Sequence, residues 1–441
     1  AGEAAREFVT REVLPRLEAM ERHDWATVRA LLAQAGELGL LGAEVPEAYG
    51  GLGLRKLGAV PITEEIGREG SFAVTFGAQT GIGTLPIVYF GTPSQKQRYL
   101  PALASGRLVA AYSLTEPEAG SDAMSIRTVA RHRDGGWVLR GQKQWTTNAG
   151  FADLFVIYAK VDGEHFTAFL VERGTPGLQV GPEAKKMGIH GSSTASVFLD
   201  DAYVPADAVL HEVGRGHHVA FNILNLGRFR LGAGCSGSCR HLLRVTTGYV
   251  QQRQQFGRPL ATFPLVREKL ARMAVLTYAL ESAVYRVAGL LDRATAGVDL
   301  SGDAREASAR ALAEYAVECS IVKVLGTEAL DQVVDEAVQL HGGYGYMQEY
   351  EVERAYRDSR INRVFEGTNE VNRLLIPGTV MRRAVHGALP VLPRLRELPG
   401  QLLARTAPET FAEPLARAEW QVETLRLWLL AVAGLASERY M

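Results

Sequence analysis

The 441-residue chain is long enough for two or three domains with a large core, and 47% of its residues are hydrophobic and 22% charged. This composition is typical of a soluble globular protein. The 48 Lys and Arg residues oppose 49 Asp and Glu residues, so the formal net charge is -1. The basic excess of a nucleic-acid-binding protein is therefore missing, and we expect no nucleic-acid partner.

The three cysteines, Cys235, Cys239 and Cys319, are too few for a disulfide framework and suit a reducing cytoplasm. We expect them to be small buried residues rather than metal ligands, and we predict no metal site. No signal peptide opens the chain, and we find no apolar run of the ~18 residues that span a bilayer, so we predict a cytoplasmic protein. The chain begins with Ala1 rather than Met, which indicates that the sequence is incomplete there.

Residues 1–110 have the pattern of a helical domain. Apolar residues recur at helical spacing in 5–22 and 26–41, and Asp24 is placed to cap the second helix. Two further helical patterns cover 62–70 and 94–106. Between them, Gly77, Gly81 and Gly83 interrupt an apolar stretch, which indicates either loose packing or room for a long apolar ligand.

Over residues 111–212 the apolar period changes from helical to two. Short runs rich in Val, Phe, Tyr and Thr, separated by Gly, Asp and Pro, predict a compact β domain, either a sheet or a barrel. The loop LTEPEAGSD (114–122) offers backbone amides and hydroxyls that suit phosphate oxygens or a polar ring edge. QKQWTTN (142–148) carries Trp145 near Thr147. Trp145 is either a platform for a flat heteroaromatic cofactor or, as is commoner for a lone tryptophan, a core residue.

Helical periodicity returns over residues 213–384 in three long segments with few breakers, which predicts a domain similar to a four-helix bundle. Residues 385–441 contain a proline-broken segment and then an amphipathic helix that stops at Met441, so we expect a partial helical extension. Its apolar stretch 427–436 favours packing against a sister helix, and contact with a membrane surface is the alternative. The expected fold is therefore α+β and multidomain.

The segment RDSRINRVFEGTNEVNR (357–373) departs from this helical pattern. Glu366 lies between Phe365 and Gly367, and Gly367 can adopt backbone angles closed to other residues. A carboxylate against an aromatic ring and a glycine is a candidate buried base. Taken alone, such a segment is more often an ordinary helix C-cap.

The order of helical, β and helical domains resembles the flavin-dependent acyl-CoA dehydrogenase family over about residues 1–385. YSLTEPEAGSD and QWTTN are similar to the family's two flavin-loop signatures, and KKMGIHGSSTASVFLDDAYVP to the strands that follow. RQQFG and QLHGGYGY resemble its C-terminal cofactor contacts, and VFEGTNEVNR resembles its catalytic segment. LNLGRF and EKLARM look closest to the very-long-chain branch, which also carries a C-terminal extension.

The resemblance implies an FAD-dependent enzyme that converts a medium-to-long-chain acyl-CoA to the trans-2-enoyl-CoA in fatty-acid β-oxidation. Glu366 matches the family's base, which removes a proton beside the thioester carbonyl while a hydride leaves the next carbon for flavin N5. Such a base needs a dry slot that raises the proton affinity of the carboxylate. Two subfamilies place the base just before the arginine that matches Arg228, but here that position is Gly227.

The matched motifs imply two sets of FAD contacts. The flavin half would contact Tyr112, Leu114, Thr115, Gly120, Ser121, Trp145 and Thr147. The remaining contacts would act across a subunit interface: Arg253, Gln255, Phe256, Gln339 and Gly343, joined by Gly367, Thr368 and Glu370 from the catalytic loop. Oligomerisation would then be a condition for cofactor binding, and a homodimer is expected rather than a tetramer. Pro264 and Arg267 depart from the family, whose members usually offer glutamine at one of these sites, so one adenosine contact is in doubt.

The implied substrate contacts are Ser121, Arg228, Phe365 and Gly83. Arg228 either faces the catalytic end of the pocket or pins the loop bearing Glu366 through a salt bridge. Gly83 matches a glycine that opens the pocket base in the very-long-chain branch, whereas Pro86 replaces a second one. An electron-transfer flavoprotein is implied as the electron acceptor. An acyl-CoA oxidase and a non-catalytic flavin-binding assembly protein are the alternative functions.

Overall fold

The helical, β and helical regions expected from the sequence follow one another in the computed structural model, which describes residues 1–407, 410–411 and 413–440. The chain divides into two units, Ala1–Arg373 and Leu374–Met441. The first unit contains the N-terminal and β regions and most of the C-terminal helical region, and the second contains residues 374–384 and the predicted extension, 385–441.

The N-terminal region is helical, and Asp24 caps a helix there by accepting a hydrogen bond from the Thr27 amide, as predicted. The glycine-interrupted stretch forms a π-helical turn, Ala78–Gly83, between two helices. The helices are α1 (Gly2–Phe8), α2 (Leu17–Glu21), α3 (Trp25–Glu37), α4 (Lys56–Ile66), α5 (Gly70–Gly77), α6 (Leu85–Phe90) and α7 (Pro93–Ala104).

The β region is an eight-stranded sheet rather than a closed barrel. Its strands are β1 (Ala110–Ser113), β2 (Val129–Arg133), β3 (Gly136–Thr147), β4 (Leu154–Val161), β5 (His165–Glu172), β6 (Leu178–Glu183), β7 (Thr194–Pro205) and β8 (Val209–Leu210). The order is β6-β7-β3-β2-β4-β5-β8, and β1 pairs with β4. The register of β3 against β7 shifts between Lys143 and Thr146. Such a bulge redirects the side chains within it.

The C-terminal region is built around one long helix, α8 (Gly216–Gln252), which packs against α4, α9 and α11. A short hairpin of β9 (Gln254–Gln255) and β10 (Arg258–Pro259) follows it. The other helices are α9 (Pro264–Thr295), α10 (Arg305–Ala313), α11 (Ala316–His341), α12 (Glu351–Ser359) and α13 (Asn369–Val385). The third predicted helix is therefore two, because a turn at Glu314 and Tyr315 separates α10 from α11.

Small residues let α8 approach its neighbours closely. A Cβ at Gly232 would overlap Val322 of α11, and a Cβ at Gly237 would overlap the backbone of Glu64 in α4. Cys235, Cys239 and Cys319 are buried free thiols at these packed interfaces, as expected. Gly232 and Gly237 of α8 therefore serve helix packing.

The expectation that no segment is long and apolar enough to span a bilayer is wrong by the test of length and composition. Helix α9 is long and apolar enough, by length and composition alone, to cross a bilayer, and 33% of its most apolar window is buried. Met273, Leu280 and Val284 of this helix belong to the main core cluster. A core helix of a soluble bundle passes the same test, so this finding is weak evidence for a membrane span.

The second unit contains α14 (Val391–Leu403) and α15 (Pro414–Tyr440), which pack against each other. A Cβ at Gly434 would lie 3.1 Å from Leu395 Cδ2, and Arg405 donates a hydrogen bond to the Trp420 carbonyl at 3.0 Å. The apolar side chains of Trp428 and Leu429 are exposed on α15. Within this unit α15 thus packs on a helix, while the end at Met441 lies outside the described residues.

Candidate active site

Glu366 lies in a left-handed turn between a 3-10 segment ending at Arg363 and the start of α13. Its φ is 57° and that of Gly367 is 78°, angles that disfavour most residues other than glycine. Three side chains hold the backbone carbonyls of this turn. Arg228 Nε donates to the Glu366 carbonyl at 3.1 Å, and Lys323 Nζ and Asn372 Nδ2 each donate to the Gly367 carbonyl at 2.8 Å.

The carboxylate of Glu366 is left free by these contacts. Its Oε2 atom is buried and has no hydrogen-bond partner among the described residues. Burial raises the pKa of Glu366 to about 7, against the opposing charges of Arg228 and Lys323. A Cβ at Gly227 would lie 2.7 Å from Oε2, so the two alternative base positions of the family face each other. The turn is therefore not a simple helix cap, because it leaves a buried carboxylate that can accept a proton.

Arg228 is buried beside this turn, and its Nη1 donates to Asn225 Oδ1 at 3.0 Å. Burial lowers the pKa of its guanidinium, and the charge of Glu366 partly offsets that effect. Arg228 holds the loop that bears Glu366, which was one of its two predicted roles. The contact is a hydrogen bond to a backbone carbonyl instead of the expected salt bridge, which keeps the carboxylate available.

A cavity of about 190 Å³ extends from Glu366 along one face of α8. Gly227, Leu231, Gly234, Ser238 and His241 line it at intervals of three or four residues, the spacing of one helix face. At about 1.5 Å per residue, the lining from Gly227 to His241 spans about 21 Å. The cavity at Glu366 therefore continues as a long channel.

The opposite wall of the channel comes from α5 and the π-helical turn. Gly77 and Gly81 line the cavity, and a Cβ at Gly77 would meet no atom within 4 Å. Gly83 is not among the described residues that line the cavity, and a Cβ there would lie 2.7 Å from the Ala110 Cβ of β1. This glycine therefore permits close packing on the sheet, while the substrate contact at Gly83 stays a prediction.

The channel changes from apolar to polar along its length. Near its distal end it is lined by Glu69, Asp358 and Ser238, and by the His241–Glu351 pair, joined at 2.7 Å. Burial raises the pKa of Glu69 to about 7, and the neighbouring Asp358 carboxylate adds to this effect. An apolar chain end gains little from contact with such groups.

The two predicted flavin loops are joined to each other. The Gln144 amide donates to the Thr115 carbonyl at 2.8 Å, and the hydroxyls of Ser113 and Thr146 lie 2.7 Å apart. Between them, the buried ammonium of Lys143 contacts Glu116 Oε1 at 2.7 Å. The carboxylate of Glu116 also accepts hydrogen bonds from the amides of residues 127 and 128.

Trp145 lies in the bulge of β3 with a φ of 55° and is 62% exposed. The core-tryptophan interpretation is therefore wrong, and the ring is available as a platform. Thr147 lines the channel together with Phe365 and Glu366. Tyr112 is buried against Tyr158, with ring centroids 5.1 Å apart.

The other residues predicted for the flavin half lie around this platform. Leu114 is buried, Thr115 is partly exposed, and Gly120 and Ser121 are exposed. The Tyr112 hydroxyl has no hydrogen-bond partner in the described structure. An exposed ring, free amides and hydroxyls beside the base fit the isoalloxazine of FAD, and these residues would hold it.

The residues predicted for the adenine half of FAD are brought together at the β9–β10 hairpin and the end of α11. Arg253 lies over the Tyr344 ring at 5.3 Å. Phe256 is 93% exposed. Gln255, Gln339, Gly343 and Glu370 are also exposed in the isolated chain. Thr368 instead caps α13, because its hydroxyl accepts a hydrogen bond from the Val371 amide at 3.2 Å.

Sequence reasoning missed the residues that hold the catalytic turn. Lys323, Asn225 and Asn372 are buried polar residues within apolar helices. The lone lysine in SIVKVLG was the available signal, since a buried lysine needs acceptors nearby. Asn372 falls inside the catalytic motif, where only its contacts reveal its role.

Sequence profiles of one family match three successive parts of the chain. The acyl-CoA dehydrogenase N-terminal domain matches residues 2–107, the middle domain 111–202 and the C-terminal domain 214–381. Together the three matches cover most of the chain and follow its three structural regions in order.

Relatives of known name agree with this match. A probable acyl-CoA dehydrogenase of Bacillus subtilis is 50% identical over 439 residues, which are 98% of this chain and 74% of that protein. The human mitochondrial very long-chain specific acyl-CoA dehydrogenase is 41% identical over 82% of this chain. The match covers 53% of the human protein, so the chain spans about half of that relative's length.

A solved structure gives the same result. The crystal structure of an acyl-CoA dehydrogenase complexed with FAD from Bacillus anthracis superimposes with a TM-score of 0.97 at 51% identity. It covers 100% of this chain, which corresponds to 75% of that one. The chain therefore belongs to the acyl-CoA dehydrogenase family, whose members are FAD-dependent oxidoreductases.

Proposed function

We propose that this protein oxidises a medium-to-long-chain linear acyl-CoA to the trans-2-enoyl-CoA, with Glu366 as the base. The observation that carries the proposal is the free, buried carboxylate of Glu366 at the head of a long channel. Its backbone is fixed by three donors, while its side chain has no competing partner among the described residues.

The chemistry assigned to Glu366 follows from its surroundings. A pKa raised to about 7 by burial gives a carboxylate that is about half ionised at pH 7 and is basic enough to take a weakly acidic proton. The fixed turn holds the carboxylate in one place, so little reorganisation is needed when the proton moves. FAD, when bound beside Trp145 and Thr147, would accept the hydride from the adjacent carbon.

The chain-length preference is inferred from the channel. Gly227, Leu231, Gly234 and Cys235 give α8 an apolar strip of about 12 Å along the channel, beside Arg230, whose guanidinium is held by Glu44 and Thr80. An apolar strip of this length suits a medium-length acyl chain, and a long chain would continue along the full span of about 21 Å, past Ser238 and His241. Saturated acyl-CoAs of medium to long length are thus the expected substrates, and a turnover profile that peaks at four or five carbons would contradict this.

The remaining assignments extend the same proposal. An electron-transfer flavoprotein is the proposed electron acceptor, and a homodimer would complete the adenine site at Arg253 and Phe256.

We propose domains at residues 1–110, 111–212, 213–384 and 385–441. We also propose a cytoplasmic location, with α15 packed on a sister helix or in contact with a membrane surface. The exposed Trp428 and Leu429 support such a contact.

Anaerobic titration with palmitoyl-CoA tests the proposal, with flavin absorbance as the readout and Glu366→Gln as the matched variant. We expect the wild type to bleach and the variant to bind substrate and remain yellow. Bleaching of both proteins would show that another group is the base. If no acyl-CoA bleaches the wild type, the function is wrong, and rapid oxygen uptake after bleaching would identify an oxidase instead.

A further inference from the structure

Lys323 of α11 is 0% exposed, yet it carries an ammonium group in the middle of an apolar helix. Its Nζ donates to the Gly367 carbonyl at 2.8 Å and to Asn369 Oδ1 at 2.7 Å. Asn369 is in turn fixed by Thr327 of the same helix at 3.0 Å. The lysine therefore ties α11 to the backbone and side chain that directly follow Glu366.

This turn requires support, because Glu366 occupies the left-handed region without being glycine. A non-glycine residue there is strained and persists only where its surroundings hold it. Lys323 and Arg228 approach from different helices, and both bind backbone carbonyls. Because these two backbone carbonyls are fixed, the point from which the Glu366 side chain extends is fixed as well.

Lys323 and Arg228 are also the cations that act on the Glu366 carboxylate. Burial lowers the pKa of Lys323 to about 8, and the nearby Glu366 opposes this effect, so the lysine is charged at neutral pH.

The other titratable groups that face Lys323 are Cys235 of α8 and Glu370 of α13. Burial raises the pKa of Cys235 to about 12, so this thiol is neutral, and Glu370 is exposed to solvent. The Lys323 ammonium is therefore the charge on α11 that favours the ionised base.

We propose that Lys323 is a positioning residue that holds the catalytic turn through Gly367 and Asn369 and keeps Glu366 ionised in the neutral range. The inference rests on the proposed role of Glu366 as the base. It assigns to Lys323 two separable actions, one geometric and one electrostatic.

Two substitutions separate these actions. Lys323→Gln removes the charge and leaves a donor for the carbonyl, whereas Lys323→Met removes both. The matched control is Lys96→Met, because Lys96 is also fully buried and donates to two backbone carbonyls, Leu300 at 2.9 Å and Gly302 at 2.7 Å. It lies outside the residues described for the channel and the flavin loops.

The first measurement is the titration of the Glu366 carboxyl in the FAD-loaded, ligand-free protein, by infrared difference against Glu366→Gln. We expect both Lys323 variants to raise its midpoint by about one pH unit, since an opposite charge nearby is lost. Lys96→Met should leave the midpoint unchanged. An unchanged midpoint in Lys323→Gln would overturn the electrostatic role, and this variant decides the question even if Lys323→Met fails to fold.

The second measurement is the pH profile of flavin reduction by palmitoyl-CoA. With the charge removed, the rate at pH 6 should fall about tenfold while the plateau at high pH in Lys323→Gln stays near wild type. Lys323→Met should also lose plateau rate, because the turn is no longer held. A plateau equal to wild type in Lys323→Met would overturn the geometric role. Failure of the wild type to reduce flavin would reject the proposed function, while the infrared midpoint would still test Lys323.

Discussion

Substituting Gly227 by alanine should slow the enzyme without destabilising it. A Cβ at this position would lie 2.7 Å from Oε2, 2.8 Å from Cδ and 2.9 Å from Oε1 of Glu366. Ordinary contacts begin near 3.4 Å, so the carboxylate would have to move by about 0.5–0.7 Å. A misplacement of about 1 Å can cost about a hundredfold in rate, so we expect flavin reduction to slow by about 10–100-fold.

The effect on stability should have the opposite sign. Alanine is favoured over glycine inside a helix by about 0.5–1 kcal/mol, and Gly227 lies within α8. The new methyl group meets only the end of a flexible side chain, which can move aside. We therefore expect an unchanged or slightly raised unfolding midpoint in Gly227→Ala.

The assay combines anaerobic stopped-flow reduction by palmitoyl-CoA with thermal unfolding. Gly248→Ala is the control, because Gly248 belongs to the same helix and its Cβ would meet no atom within 4 Å. It should share the gain in stability and keep the wild-type rate. A wild-type rate in Gly227→Ala would refute the reasoning, since the carboxylate would then work equally well from a displaced position.

Three further predictions concern stability and chain length. Glu366→Gln should be more stable than wild type at pH 8 by about 3 kcal/mol. The folded-state pKa of about 7 lies above the ordinary glutamate pKa of 4.5, so wild type loses stability as the pH rises between these two values. Unfolding at pH 4 and pH 8 tests this, and an equal difference at both would contradict it. Glu44→Ala leaves the charges of Lys56 and Arg230 unpaired, so denaturant unfolding should show a loss of about 3–5 kcal/mol. Gly234→Leu, two turns along the channel, should reduce turnover of palmitoyl-CoA but spare butyryl-CoA, and equal losses on both would refute the assigned direction of the channel.

The sequence predicted the parts of the site that lie within short motifs. Glu366 and Thr147 share one cavity lining, as the motif order implied, and Asp24 caps its helix. The local sequence pattern does not predict the role of a residue when that role depends on its tertiary contacts. Gly83 and Gly77 occur in the same glycine-interrupted stretch, but only contact with Ala110 shows that Gly83 faces the sheet.

Three further differences between the sequence-based expectations and the structure arise from features that short sequence patterns do not encode. Trp145 lies in a sequence typical of a strand, yet a register shift in β3 turns its ring outward. No glycine or proline within QKQWTTN indicates that shift. Lys323 acts on a turn 44 residues away, so its role depends on tertiary contact alone. The break between α10 and α11 contains neither glycine nor proline, so the helical periodicity of the sequence continues across it and predicts one helix.

The buried pair of Lys143 and Glu116 has a consequence for cofactor exchange. The Glu116 carboxylate binds the ammonium and two backbone amides of its own loop, so protein contacts alone define the loop's shape. Uptake of FAD then requires no folding of that loop, and little conformational entropy is lost there on binding. Apoprotein prepared by removing the flavin should keep its β domain folded and should regain flavin absorbance on addition of FAD, because the binding loop is already in its final shape.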